Sequence, residues 1–397
     1  MIYLDCAATT LQKPPSVARA VAHALGTAAS PGRGGYPAAQ RAAELVYRCR
    51  SEAAALFGVA EAERVVLTSS ATHSLNIALR SLVQKGDRVV LSGYEHNAVT
   101  RTLTALGAEL DVVRGALFRP AELLEGFAAR LRGAKCAVCT QVSNVFGYVL
   151  PLEGIADLCR RAGVPLVVDA SQGAGCLPLS LDALGAQYAA LPGHKGLYGP
   201  QGTGLLLCSP EAQPAPLLFG GTGSESLMQT MPDFLPDRLE AGTHNVCGAA
   251  GLLEGIRFVR SKGPETILRH ERLLRQDMAR RLRAVPGLRV LESPDPALQT
   301  GVLSLVCEGA DCEVVGERLG RLGVCARAGL HCAPLAHESA GTLETGTLRL
   351  SFSAFNRREE VASAAAACRR WHSACGLVAK GGQLLRRKEV RERIHLP

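Results

Sequence analysis

Several features that would fix a class at once are missing from this chain. Nowhere in its 397 residues does an apolar run approach the roughly 20 residues that a helix needs to cross a bilayer. The opening Met1-Ile-Tyr-Leu-Asp5 has neither a basic leader nor a small-residue cleavage site, so the expectation is a protein that stays in the cytoplasm. Clustered cysteines are missing as well. The 14 present are scattered singly, which fits a reducing compartment and small buried side chains better than a disulfide framework. Nor does the body of the chain carry strong charge. The net charge is +8, and residues 376–397 hold six Lys/Arg against two Glu, a surplus of four, so half of the excess sits in a basic C-terminal tail. Such a tail reads as solvated surface, and nucleic acid is not an expected partner.

What is present is the pattern of an ordered α/β protein: 47% hydrophobic residues, with short apolar runs alternating with helical stretches. A chain this long predicts one large domain plus a smaller one. Strands are expected at Ile2-Tyr-Leu4, Arg64-Val-Val-Leu67, Arg88-Val-Val-Leu91, Cys136-Ala-Val-Cys139, Leu166-Val-Val-Asp169, Tyr188-Ala-Ala-Leu191 and Gly202–Cys208. The first helix starts near Pro14 or Pro15, where proline is tolerated in the first turn. A helical pattern runs from about Asn245 to Ala284, and further strands are expected near Val302–Leu305, Gly323–Ala326 and Thr347–Leu350. Cys136 and Cys139 form a CxxC, but residues three apart on a strand face opposite sides of a sheet, so both read as core rather than as metal ligands.

Two strand ends carry chemistry. Leu166-Val-Val-Asp169 closes on an acid, and the run through Leu191 closes on Pro-Gly-His194-Lys195 followed by glycines. An acid and an amine at the carboxyl ends of parallel strands open onto one crevice. Pyridoxal phosphate chemistry needs that pair, an amine for the Schiff base and a carboxylate that keeps the ring nitrogen protonated. Upstream, Thr68-Ser-Ser-Ala-Thr-His-Ser74 turns a strand into a helix whose first N–H groups suit a phosphate, while its hydroxyls serve as caps. Ser30-Pro-Gly-Arg-Gly-Gly-Tyr36 is either a plain connector or a rim over the pocket with Arg33 pointing inward. Among the cysteines, Cys332 stands apart: the adjacent His331, Arg327 five residues before it and an irregular loop are conditions that favour thiolate.

Asp169, Gln172 and His194-Lys195, with Ala71-Thr72-His73 upstream and Arg327-Ala-Gly-Leu-His-Cys332 downstream, resemble the class V aminotransferase family, in its cysteine desulfurase and selenocysteine lyase branch and short-loop subgroup. The resemblance runs from about Leu4 to Val361 and keeps six separated motifs in the family's order. It implies a fold type I pyridoxal-phosphate-dependent transferase: α/β, with a large domain at 13–253 around a mainly parallel seven-stranded sheet, and a smaller α+β domain from 1–12 and 254–375. It implies that Lys195 carries the cofactor, that His96 stacks on the pyridine ring, and that Ala71, Thr72 and His194 sit at the phosphate. Thr243 would close the phosphate site of a neighbouring copy, hence a homodimer with shared active sites. Gln172 would tune the ring hydroxyl, Asn144 would contact cofactor and substrate, and Arg349, with Arg327, would bind the substrate carboxylate. Cys332 would accept sulfur from L-cysteine and pass it to a protein acceptor.

Two positions depart from the family pattern. Cys6 stands where Asn or Ser is usual, and Pro192 stands where a hydroxyl serves the phosphate, a loss that Ser70 and Ser171 are placed to offset. The rival readings are a selenocysteine lyase acting on L-selenocysteine, another class V aminotransferase or epimerase, and a binding protein that keeps the fold without turnover.

Overall fold

The computed structural model describes residues 1–32 and 34–375, without the side chains of 371–375. Arg33 and the basic tail at 376–397 lie outside the described residues.

A seven-stranded sheet carries the larger part of the chain. Its spatial order is Val65–Thr68, Gly204–Cys208, Tyr188–Pro192, Leu166–Asp169, Cys136–Thr140, Arg88–Ser92 and Glu109–Val113. Only Gly204–Cys208 runs against its neighbours, so the other six strands share one direction and one carboxyl edge. The strands read as continuous apolar runs because both faces are covered. Alternate residues feed two separate cores: Val65, Val90, Ala137, Val168, Ala189 and Leu207 enter one. Val66, Val89, Cys136, Val167, Ala190 and Leu206 enter the other. Cys139 faces the first and Cys136 the second, and among the described residues no group of His, Cys, Asp and Glu suits a metal ion.

A second sheet is antiparallel, in the order Arg327–Gly329, Thr347–Ser351, Val302–Cys307 and Leu288–Leu291, and it has its own core with Leu303, Leu305, Leu348 and Leu350. The amino-terminal strand Ile2–Tyr3 pairs with Val324–Cys325, so the first residues pack with the last third of the chain. Between the two sheets the single helical stretch expected from 245 to 284 is two helices, Val246–Lys262 and Pro264–Leu282. Gly263, at φ +80, and Pro264 break it, since a left-handed glycine and a residue without N–H both stop a helix.

Three strands were not expected from the sequence: Glu109–Val113, Leu288–Leu291 and Arg327–Gly329, the last within the stretch read as loop. All three lie at sheet edges, where polar side chains obscure the apolar pattern. The first helix begins at Pro15 as expected. Among the described residues no helix is long and apolar enough to cross a membrane.

Candidate active site

Every strand of the parallel set ends at one edge, and the residues that close or follow five of these strands meet there. Asp169 closes its strand and is buried; its Oδ1 accepts the N–H of Ser171 at 2.9 Å, and its other oxygen has no partner among the described residues. The next strand, through Pro192, delivers His194 and Lys195. The loops after Asp169 and after Lys195 cross so closely that a Cβ on Gly175 would lie 2.0 Å from the carbonyl oxygen of Gly196, which only glycine allows. Lys195 is half-buried, and its pKa falls to about 8 because burial disfavours the ammonium, an effect that Asp169 opposes and Arg349 and Arg327 reinforce.

His96 follows the strand Arg88–Ser92 and caps the helix Asn97–Leu106. Its Nδ1 accepts the N–H of Ala98 at 3.0 Å, which places the ring proton on Nε2. Burial keeps this imidazole neutral, lowering its pKa against the pull of Asp169. Just before it, the fully buried Glu95 accepts from the Ser92 hydroxyl at 2.5 Å and from the Thr140 N–H at 2.7 Å. Burial pushes its carboxyl up to about 8.

At the sheet edge Ala71 and the exposed Thr72 open the helix Ala71–Leu82. Ser70 is its cap, accepting the His73 N–H at 3.1 Å, so the Ser70 hydroxyl is engaged while the N–H groups of Ala71 and Thr72 make no bond among the described residues. A helix start of this kind holds an anion. His194 turns Nδ1 to the Thr9 hydroxyl at 3.0 Å, and burial brings its pKa down to about 4. Gln172 donates Nε2 to the carbonyl of Ala7 at 2.9 Å. Pro192 is buried inside its strand, paired with Gly204. Thr243 is exposed on the loop before Val246 and has no bond to the others within this chain.

The second sheet reaches this edge through Arg349, Arg327 and Cys332. Arg349 is buried, donating to the Asn144 carbonyl at 2.9 Å and to Asp5 at 3.0 Å, with Nε unpartnered. Arg327, largely exposed, clasps the same Asp5 through Nε and Nη2 at 3.0 and 2.9 Å. Sequence reasoning passed over Asp5. Its one visible signal was an acid directly after a strand, the same signal that singled out Asp169.

Cys332 is exposed and its backbone is doubly tethered to the edge. The preceding carbonyl, of His331, accepts from Asn144 Nδ2 at 2.7 Å, and the Cys332 carbonyl accepts from the Asn97 N–H at 2.7 Å. Both residues are left-handed, at φ +49 and +56, a conformation that non-glycine residues hold only where surroundings impose it. The thiol therefore projects from a strained turn anchored beside His96 and Asn144. One expectation fails here. His331 does not supply a cation to the thiol: its ring is buried, Nε2 meets the Thr347 carbonyl and hydroxyl at 3.1 Å, and burial lowers its pKa to about 2. Arg327 is the cation whose own pKa is raised, by Asp5 first and in smaller part by Cys332.

The set fits an aldehyde cofactor with a phosphate and a ring nitrogen: a weakly basic amine, a buried carboxylate with a spare oxygen, and a helix start with spare N–H groups. Comparison with known proteins agrees. Residues 2–363 match the family described as aminotransferase class-V. A probable cysteine desulfurase of Methanothermobacter thermautotrophicus is 30% identical over 374 residues, covering 91% of this chain and 92% of that protein. The cysteine desulfurase of Synechococcus elongatus is 32% identical over 93% of this chain, which spans 60% of that longer protein. Among solved structures, the apo cysteine desulfurase of Thermococcus onnurineus NA1 superposes with a TM-score of 0.86 at 29% identity, covering 94% of this chain and 95% of that one. The chain belongs to the class-V aminotransferase family, in its cysteine desulfurase branch.

Proposed function

We propose that this protein is a pyridoxal-phosphate-dependent cysteine desulfurase that moves the sulfur of L-cysteine onto Cys332 and releases L-alanine. The observation that carries the reading is the exposed Cys332 thiol on a turn whose two carbonyls are held by Asn144 and Asn97, at the sheet edge that also carries Lys195 and Asp169.

The cofactor, when bound, supplies an electron-accepting ring that weakens bonds at the substrate α- and β-carbons. The rest falls to side chains of this chain. Lys195, with a pKa near 8, gives up its proton more readily than an ordinary lysine, which suits it to carry the cofactor and, once released, to take a proton from Cα. Asp169 would keep the ring nitrogen protonated, and neutral His96 would lie against the ring. The Ala71 and Thr72 N–H groups would hold the phosphate with His194 and with Thr243 of a second copy. Gln172 would tune the ring hydroxyl. Arg349, a planar two-pronged donor, takes the substrate carboxylate with Asn144, and Arg327 lies at the same mouth. Cys332 thiolate attacks the substrate sulfur: the S–S bond forms as the C–S bond breaks, that electron pair stays with the substrate carbon, and protonation gives alanine. The persulfide on Cys332 then passes to a protein acceptor.

The same reading places a large domain at 13–253 and a small one at 1–12 and 254–375, supported by the separate cores and by the pairing of Ile2–Tyr3 with Val324–Cys325. Free thiols at all described cysteine side chains support a cytoplasmic setting. Replacing Cys332 by Ala and measuring alanine formed from L-cysteine tests the function: the variant is expected to lose it, and an unchanged rate would refute a role for this thiol.

A further inference from the structure

Lys195 also lines a cavity of about 40 Å³, to which neither His96 nor Cys332 contributes, together with Gln172, Cys6, Cys176, Tyr198 and Glu271 among others. At roughly 10–15 Å³ per molecule it has room for up to about three waters. Glu271 comes from the helix Pro264–Leu282, is 8% exposed, and has no hydrogen bond or ion pair among the described residues. The cations of its own helix are directed elsewhere. His270 meets the Asn356 carbonyl, Arg272 donates to the carbonyls of Gln299 and Ala297, and Arg275 is taken by Glu292 and Gln299. A buried carboxylate without a partner holds its proton instead of its charge. Glu271 packs tightly on Gly301, where a Cβ would lie 2.6 Å from the Glu271 Cβ.

We propose that Glu271 is a positioning residue that acts through Lys195, exchanging a proton with the amine through water in this chamber. The step balances simply: a proton leaves the Glu271 carboxyl, one arrives on Lys195 Nζ, and the neutral pair becomes carboxylate and ammonium, or the reverse. Burial lowers Lys195 to about 8 and raises Glu271 to about 8, so neither group holds the proton strongly against the other. The other titratable groups facing Glu271 stay neutral: burial pushes the Cys6 thiol up to about 12, and Cys176 and Tyr198 well above their ordinary values. Lys13, at about 8, reaches the rim through the Thr10 hydroxyl at 3.1 Å. An amine that must alternately carry the cofactor, take a proton and return it gains from a neighbour that can store one.

The inference rests on reading Lys195 as the cofactor-bearing amine, and the test separates the two. The pH midpoint of the visible absorbance of cofactor-loaded protein is measured for wild type, Glu271→Gln and Glu271→Asp, beside the infrared band of a protonated carboxylic acid. In Glu271→Gln the midpoint is expected to fall by about one pH unit, since an amide cannot yield a proton and become the carboxylate that pairs with the protonated nitrogen, and part of the acid band should vanish. Glu271→Asp is expected to keep the band and to shift the midpoint by less. A coloured protein whose midpoint moves by under about 0.3 unit in Glu271→Gln overturns the inference alone. No colour in any form overturns the reading of Lys195 and the inference with it. Should Glu271→Gln not fold, the aspartate variant decides: a midpoint identical to wild type refutes the coupling.

Discussion

Arg327 and Arg349 stand directly opposite one another on adjacent antiparallel strands, and both hold Asp5. Like charges facing across a ladder repel, so the pairing needs the carboxylate between them. Asp5 also joins the amino terminus to the second sheet, through a bridge to Ser351.

Asp5→Asn is therefore expected to cost more than removal of either outer contact. The variant leaves Arg349 buried with its charge uncompensated and should lose about 3 kcal/mol in urea unfolding, with KM for L-cysteine raised. Arg327→Ala, on the exposed side, should lose less than about 1 kcal/mol. Equal losses would mean that Asp5 serves Arg327 and not Arg349.

Arg349→Lys keeps the charge but not the fork. One ammonium cannot hold Asp5 and the Asn144 carbonyl and also present a planar face to a carboxylate. The expected outcome is at least a tenfold loss in kcat/KM, about 1.4 kcal/mol, measured as alanine production against L-cysteine concentration.

Asn144 links the substrate end of the site to the thiol turn. Asn144→Ala removes the donor to the His331 carbonyl, about 1 kcal/mol, from a turn that holds two left-handed residues. Hydrogen exchange over Leu330–Ala333 should quicken about five-fold, and turnover should fall with it. An unchanged exchange rate would show that the turn is held by other contacts.

Glu95 gives a pH signature. Burial is the main cause of its raised pKa, about 8 against 4.5 when unfolded, with Asp169 adding and the Ser92 and Thr140 bonds opposing. Between these two values the folded protein holds a proton that the unfolded chain has lost. This contribution to stability is thus complete below pH 4.5 and is lost as pH rises toward 8, at up to about 1.4 kcal/mol per pH unit. Glu271 acts with the same sign over the same window. Urea midpoints of Glu95→Gln across this range should fall less steeply with pH than those of wild type.

Much of this site was legible in the chain because a parallel sheet puts its strand ends on one edge. Once Leu166–Asp169 and Tyr188–Pro192 were read as strands, Asp169 and Lys195 had to face one crevice. Side-chain direction in the loops was not legible. The imidazole of His331 turns to Thr347, a strand neighbour 16 residues later, and nothing next to it in the chain announces that partner. Glu271 was hidden for a related reason: it lies among Arg269, Arg272, Arg275, Arg280 and Arg281 in Pro264–Leu282, where a charged residue is ordinarily solvated. Its side chain lies against Gly301 and lines one cavity with Thr300, Val302 and Cys6, residues far from it in the chain.

Mass spectrometry of the intact protein after brief exposure to L-cysteine, with peptide mapping, tests the central claim most directly. The account predicts a protein heavier by one sulfur atom, retained on the peptide that carries Cys332 and absent from Cys332→Ala. A sulfur retained on any other cysteine, or none retained while alanine is formed, would contradict it.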